Sequence, residues 1–138
     1  MIKRVLADTS AIVGYLNKQD QWHLDAYPQF KVLPKPFYTC EAVITESCFL
    51  VRSAAGGPKK VLDLVANGIL EIDFSLDAEI ERLTHLIKIY ETIPMSLADA
   101  CLVRMSELES DSAVFTFDND FQIYRRNGRQ QISVVPDN

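Results

Sequence analysis

The chain has 138 residues, of which 48% are hydrophobic and 24% charged, the size and composition of one water-soluble globular domain. Its net charge of −5 excludes a general attraction to polyanions, although a bound cation would invert the field around any acidic cluster. No apolar run approaches the ~20 residues that span a bilayer.

The first apolar stretch follows Met1-Ile2-Lys3-Arg4 and stops at Asp8, too short for a signal peptide. Cys40, Cys48 and Cys101 form no CxxC pair and read as reduced, packed thiols, so a cytoplasmic setting without a membrane is expected.

Lys3–Ala7 reads as a buried strand. Asp8-Thr9-Ser10 are helix-start residues, and Ala11, Ile12, Tyr15 and Leu16 supply an apolar helical face. Trp22–Phe30 is expected to be a short helix broken around Pro28, followed by a loop at Pro34 and Pro36 and a short strand at Phe37–Thr39. Glu41–Ala55 reads as a helix stopped by Gly56-Gly57, and Pro58 suits the first turn of another that ends near Asn67-Gly68. Ile69–Phe74 reads as a strand. Asp77–Tyr90 reads as an amphipathic helix, with Ile80, Leu83, Leu86 or Ile87, and Tyr90 at helical spacing. Ser96–Glu109 is the next helix, Ala113–Phe117 a strand, Asn119–Arg126 a short helix or turn, and Ile132–Val135 the last strand. Alternating strands and helices predict one α/β domain over residues 1–138 with a mainly parallel sheet. In such folds ligands collect at the carboxyl ends of strands.

Four carboxylates sit where a charge is awkward. Asp8 ends Val5-Leu6-Ala7, and Glu46 interrupts the apolar stretch from Ala42 to Val51. Asp99 lies within Leu97–Val103, and Asp118 closes Ala113–Phe117. Each also has a structural reading. Asp8 and Asp118 could cap the helices that follow them, and Ser96-Leu97-Ala98-Asp99 fits the capping-box signature. Glu46 is mid-helix, where capping is impossible, and Arg52 is six positions away, a poor same-face partner. A shared purpose for all four is a hard divalent cation, since a buried carboxylate needs a counter-charge and Mg²⁺ or Mn²⁺ prefers oxygen ligands. Asp120 competes with Asp118 for the fourth position. His23 and His85 suggest no ligand pair, and the chain lacks HExxH, GxSxG, P-loop and GxGxxG patterns.

In order along the chain, Val5-Leu6-Ala7-Asp8-Thr9-Ser10-Ala11, Thr45-Glu46, Leu97-Ala98-Asp99-Ala100 and Val114-Phe115-Thr116-Phe117-Asp118-Asn119-Asp120-Phe121 resemble the PIN-domain family, and most closely its VapC-like toxins. The ordered set carries the resemblance; no single piece does. It implies a three-layer α/β/α sandwich whose acidic pocket binds Mg²⁺ or Mn²⁺ and hydrolyses RNA phosphodiester bonds. It maps that pocket onto Asp8, Glu46, Asp99 and Asp118, with Thr116, Ser10 and Asp120 as supporting polar positions. An antitoxin partner and a homodimer are part of the same expectation. Arg125, Arg126 and Arg129 follow the last acidic motif closely enough to be candidate RNA phosphate contacts. The alternative is a PIN-like RNA-binding or scaffold domain without catalysis, which the complete acidic set argues against. A receiver-like domain would need paired acids after the first strand and a lysine after a late one, and neither is present.

Overall fold

Residues 4–137 are described in the computed structural model of the chain. Lys3, the expected start of the first strand, lies outside them. The first half runs β1 (Arg4–Ala7), α1 (Thr9–Leu16), α2 (His23–Val32), β2 (Phe37–Thr39), α3 (Glu41–Leu50), α4 (Gly57–Ala66) and β3 (Leu70–Ile72). The second half runs α5 (Ile80–Ile89), α6 (Leu97–Leu108), β4 (Ser112–Phe115), a 3₁₀ turn (Asn119–Gln122), β5 (Arg125–Arg126), β6 (Gln130–Gln131) and β7 (Val134–Val135).

Val5, Leu6 and Ala7 are all buried, as are Ala113, Val114 and Phe115. A strand without an exposed face belongs at the centre of a parallel sheet covered on both sides. The sheet order is β3-β2-β1-β4-β7, and every pairing in it is parallel. Helices on both faces complete a three-layer α/β/α sandwich, with α1 against α2 and α3, and α5 against α6. From β1 the chain builds outward first through β2 and β3, then on the other side through β4 and β7. The switch point therefore lies between β1 and β4, and a crevice opens at their carboxyl ends.

The core joins these layers through Phe30, Phe37 and Phe115, whose rings meet edge to face or tilted. Helix α6 is buried almost all round, from Ala98 to Val103 and again at Met105 and Ser106, as expected of a helix inside the layers rather than on a surface. An ionic network ties its outer end to α5. Glu107 accepts from Arg82 at 2.6 Å and from Arg104 at 3.3 Å, and Arg104 also reaches Glu79 at 2.6 Å.

The elements differ from the expected boundaries in several places: β3 covers only Leu70–Ile72, β4 ends at Phe115 rather than Phe117, β7 begins at Val134 rather than Ile132, and four further differences have a visible cause. Helix α2 continues through Pro28. The hydrogen bond that proline forgoes would have ended on the carbonyl of Leu24, a residue 86% exposed, so water can satisfy that group. Ala26 and Phe30 anchor the helix on the other side, Phe30 stacking on Tyr15 at 3.7 Å. Helix α3 stops at Leu50 rather than Ala55. There Val51 turns into a small core with Val13 and Val61, while Arg52 donates to the Phe49 carbonyl at 2.7 Å. Helix α5 begins at Ile80 rather than Asp77, because the Ser75 hydroxyl accepts from Ala78 N–H at 3.2 Å and closes a separate turn first. The stretch after Asp118 is a 3₁₀ turn followed by the antiparallel β5–β6 pair. Asn127 and Gly128 supply the positive φ angles of that hairpin, 52° and 81°.

Candidate active site

The register of the two central strands sets the site. Ala7 pairs with Phe115, and the Asp8 N–H bonds the Phe115 carbonyl at 3.0 Å. Asp8 and Thr116 therefore leave the sheet side by side. Thr116 donates its hydroxyl to Asp8 Oδ2 at 2.6 Å and accepts from the Asp118 N–H at 2.9 Å. Ser10 donates to the same Oδ2 at 3.1 Å and accepts from the Phe117 N–H at 3.0 Å. Two hydroxyls thus clamp the end of β1 to the segment after β4 and fix one oxygen of Asp8.

The capping readings separate cleanly. Asp8 occupies the N-cap position of α1, but its side chain makes no capping bond. Asp99 does cap: Ser96 Oγ accepts from the Asp99 N–H at 3.0 Å, and Asp99 Oδ2 accepts from the Ser96 N–H at 3.4 Å. That oxygen also accepts from the buried Tyr124 hydroxyl at 3.0 Å. Asp118 accepts from the Asp120 N–H at 2.9 Å and begins the 3₁₀ turn. Capping and inward placement coexist because each carboxylate has two oxygens. Glu46 is half-buried on α3, and among the described residues it forms no ion pair.

Asp8, Glu46, Asp99 and Asp118 line one cavity of about 230 Å³, with Thr9, Ser10, Asp20 and Trp22 among its other walls and, among the described residues, no lysine or arginine. One oxygen from each of Asp99, Asp118 and Asp120 falls within 4.8 Å of the other two. Asp120 is outside the cavity lining but inside this cluster, so both acids of the last motif face the same centre. Burial pushes the Asp8 carboxyl up to about 7; the Thr116 hydrogen bond opposes this, and the charges of Asp99 and Asp118 add to it. Burial also raises Asp99, against the hydrogen bond from Tyr124. Asp120 is raised by burial and by Asp118.

The donor set fits a hard cation. Oxygen atoms converge without a basic neighbour, and the Thr9 hydroxyl in the cavity wall is buried with no hydrogen-bond partner among the described residues. Like charges that cannot shed their strain to a protein cation shed it to a bound one. A larger cavity of about 460 Å³ lies beside the hairpin, around Phe121, Arg125 and Ile132, and holds none of the four carboxylates.

The candidate phosphate contacts disperse. Arg125 directs one guanidinium nitrogen at the carbonyls of Gln122, Ile123 and Tyr124, at 2.6, 3.4 and 3.1 Å. Arg126 reaches the Ser110 carbonyl at 3.3 Å, beyond the far end of α6. Arg129 is exposed at the hairpin. Asp20, Trp22 and Tyr124 were not legible as site residues. The loop after α1 gives only an Asp two positions before the chain's single tryptophan, and Tyr124 reaches Asp99 across 25 residues of chain.

The family profile described as "PIN domain" matches residues 5–127 of this chain. No curated protein matches it. Among solved structures the fold is similar to that of Mycobacterium tuberculosis VapC20, described as a toxin that cleaves the sarcin-ricin loop, with a TM-score of 0.77 at 17% sequence identity. The match covers 86% of this chain and 93% of that one.

Proposed function

From the premise that this chain belongs to the PIN-domain family, we propose that it is a Mg²⁺- or Mn²⁺-dependent endoribonuclease, acting as the toxin of a toxin–antitoxin pair. The observation that carries this reading is the cavity that Asp8, Glu46, Asp99 and Asp118 line together, without a basic side chain among the described residues. A bare acidic pocket repels a phosphodiester, so such a site is useful to RNA chemistry only when loaded with cation.

Asp99, Asp118 and Asp120, whose oxygens cluster, would hold the ion, with Asp8 in the same cavity as a further ligand. When bound, a divalent ion would supply the acidity that makes a nucleophile of water and the positive charge that offsets the phosphate. Glu46 faces the cluster from α3, binding the ion or orienting the attacking water and accepting its proton. Ser10 and Thr116 hold the Asp8 carboxylate in one orientation.

The toxin role carries the expectation of an antitoxin and a homodimer. Co-purification with the product of an adjacent reading frame tests the first, and light scattering the second.

The decisive assay is cleavage of mixed-sequence RNA in Mg²⁺, in Mn²⁺ and in EDTA, with Asp99→Asn alongside. The expected result is metal-dependent cutting that the variant lacks. Wild-type protein that binds neither ion overturns the reading.

A further inference from the structure

We propose that Trp22 forms a nucleobase-stacking subsite beside the acidic cavity, holding an unpaired base of the RNA next to the bond that is cut; this rests on the ribonuclease reading above. The acidic cavity and a smaller one of about 80 Å³ share two residues, Trp22 and Asp118. The smaller cavity continues past Phe117, Asn119 and Gln122. The indole therefore borders both the carboxylate cluster and the adjoining recess.

The ring is mounted rigidly. The Trp22 backbone N–H, not the indole, donates to Asp20 Oδ2 at 3.0 Å, which closes the turn that carries the residue. A Cβ on Gly14 would stand 3.4 Å from the Trp22 Cβ and 2.9 Å from that of Ala26, so glycine lets this turn lie against α1. Its ring stacks on Phe117 with centroids 5.3 Å apart and planes 10° from parallel. Phe117 immediately precedes Asp118, so the aromatic pair and the acidic centre share one segment of backbone. Trp22 remains half-buried rather than enclosed.

Charge gives this pair its role. Among the described residues, no lysine or arginine lines either cavity. Arg125 and Arg126, the nearest in sequence to Asp118, donate to backbone carbonyls. A strand approaching this mouth needs a grip indifferent to the negative field, and stacking of a base on an aromatic face supplies one. The base continues the Phe117–Trp22 column. Asn119 and Gln122 offer amide donors and acceptors to its edge, and neither is committed through its side chain to another described residue. Unpaired bases, which expose both a face and an edge, suit this arrangement better than a duplex.

The test uses the single tryptophan as its own reporter. A short single-stranded RNA is titrated into full-length Asp99→Asn protein in Mg²⁺, following indole fluorescence, beside an abasic ribose-phosphate oligomer of equal length. Quenching by the RNA and none by the abasic oligomer is expected. Trp22→Ala should weaken RNA binding, read by anisotropy of a labelled strand, about tenfold or more. Trp22→Phe should recover most of that loss, and Mn²⁺ affinity should be the same in all three. Circular dichroism establishes that each variant is folded. Equal affinity for RNA and abasic oligomer, or RNA binding by Trp22→Ala as tight as by the parent, overturns the subsite. If wild-type protein cleaves RNA with metal while those results hold, only the stacking proposal falls. If it does not bind metal, the ribonuclease reading falls first.

Discussion

Replacing Asp8 by Asn should stabilise the metal-free protein at neutral pH while abolishing its activity. Asp8 is buried to 4% exposure, and its carboxyl rises from 3.8 in the unfolded chain to about 7 in the fold. Between those values the folded state holds a proton that the unfolded state has lost, so stability falls as pH rises through that window. The contribution is intact below 3.8 and fully lost above about 7. At about 1.36 kcal/mol per pH unit the ionised group costs the fold about 4 kcal/mol. Asparagine keeps an oxygen to accept from Thr116 and Ser10 and removes the charge. At pH 8 in EDTA the variant should therefore be the more stable by about 2–4 kcal/mol, the shortfall covering the amide's unpaired N–H. At roughly 4 °C per kcal/mol for a chain of this length, its melting temperature should rise by about 10 °C. Urea unfolding of both proteins in EDTA from pH 4 to 8 measures the difference, which cancels carboxylates common to the two. The reasoning is refuted if the difference stays constant across that range, or if the variant is the less stable at pH 8.

Three further outcomes follow from the same geometry. Saturating Mg²⁺ or Mn²⁺ should raise the wild-type melting temperature, by about 2.7 kcal/mol of added stability at a hundredfold excess over Kd, and EDTA should reverse it; a melt indifferent to both ions refutes the carboxylate centre. Tyr124→Phe keeps the ring that packs edge-on against Tyr90 and Phe121 but removes a donor to Asp99. Mn²⁺ binding followed by electron paramagnetic resonance should weaken about tenfold, with the circular dichroism spectrum unchanged. Gly14→Ala would bring a methyl to 2.9 Å from the Ala26 Cβ, so α1 and α2 must part at a cost of about 1–3 kcal/mol, visible as a lower urea midpoint.

Where a signal is local, the residues alone carried it. Strands β1 and β4 each carry a buried apolar run, Val5-Leu6-Ala7 and Ala113-Val114-Phe115; Asp8 follows β1 directly and Asp118 stands three residues past the end of β4, where the chain has left the sheet. Helix α6 announces itself through Ser96 and Asp99, whose capping box needs only three residues of separation. Boundaries were less legible. Nothing near Val51 in sequence tells α3 to stop; its partners Val13 and Val61 come from α1 and α4. Pro28 reads as a break until the solvent beside Leu24 and the packing of Phe30 are known.

An α/β chain with four misplaced carboxylates is legible from neighbouring residues alone, because periodicity and position near a strand's end are local properties. That those carboxylates line one cavity depends on how distant parts of the chain pack. Parallel pairing of β1 with β4 brings Asp8 to Thr116 across 108 residues, and α3 and α6 deliver Glu46 and Asp99 to the same cavity. The structure also drew in Asp20, Trp22 and Tyr124 and turned Arg126 toward Ser110. These choices depend on the register of a sheet and the packing of distant helices, where the stabilising contacts join parts of the chain that no local pattern connects.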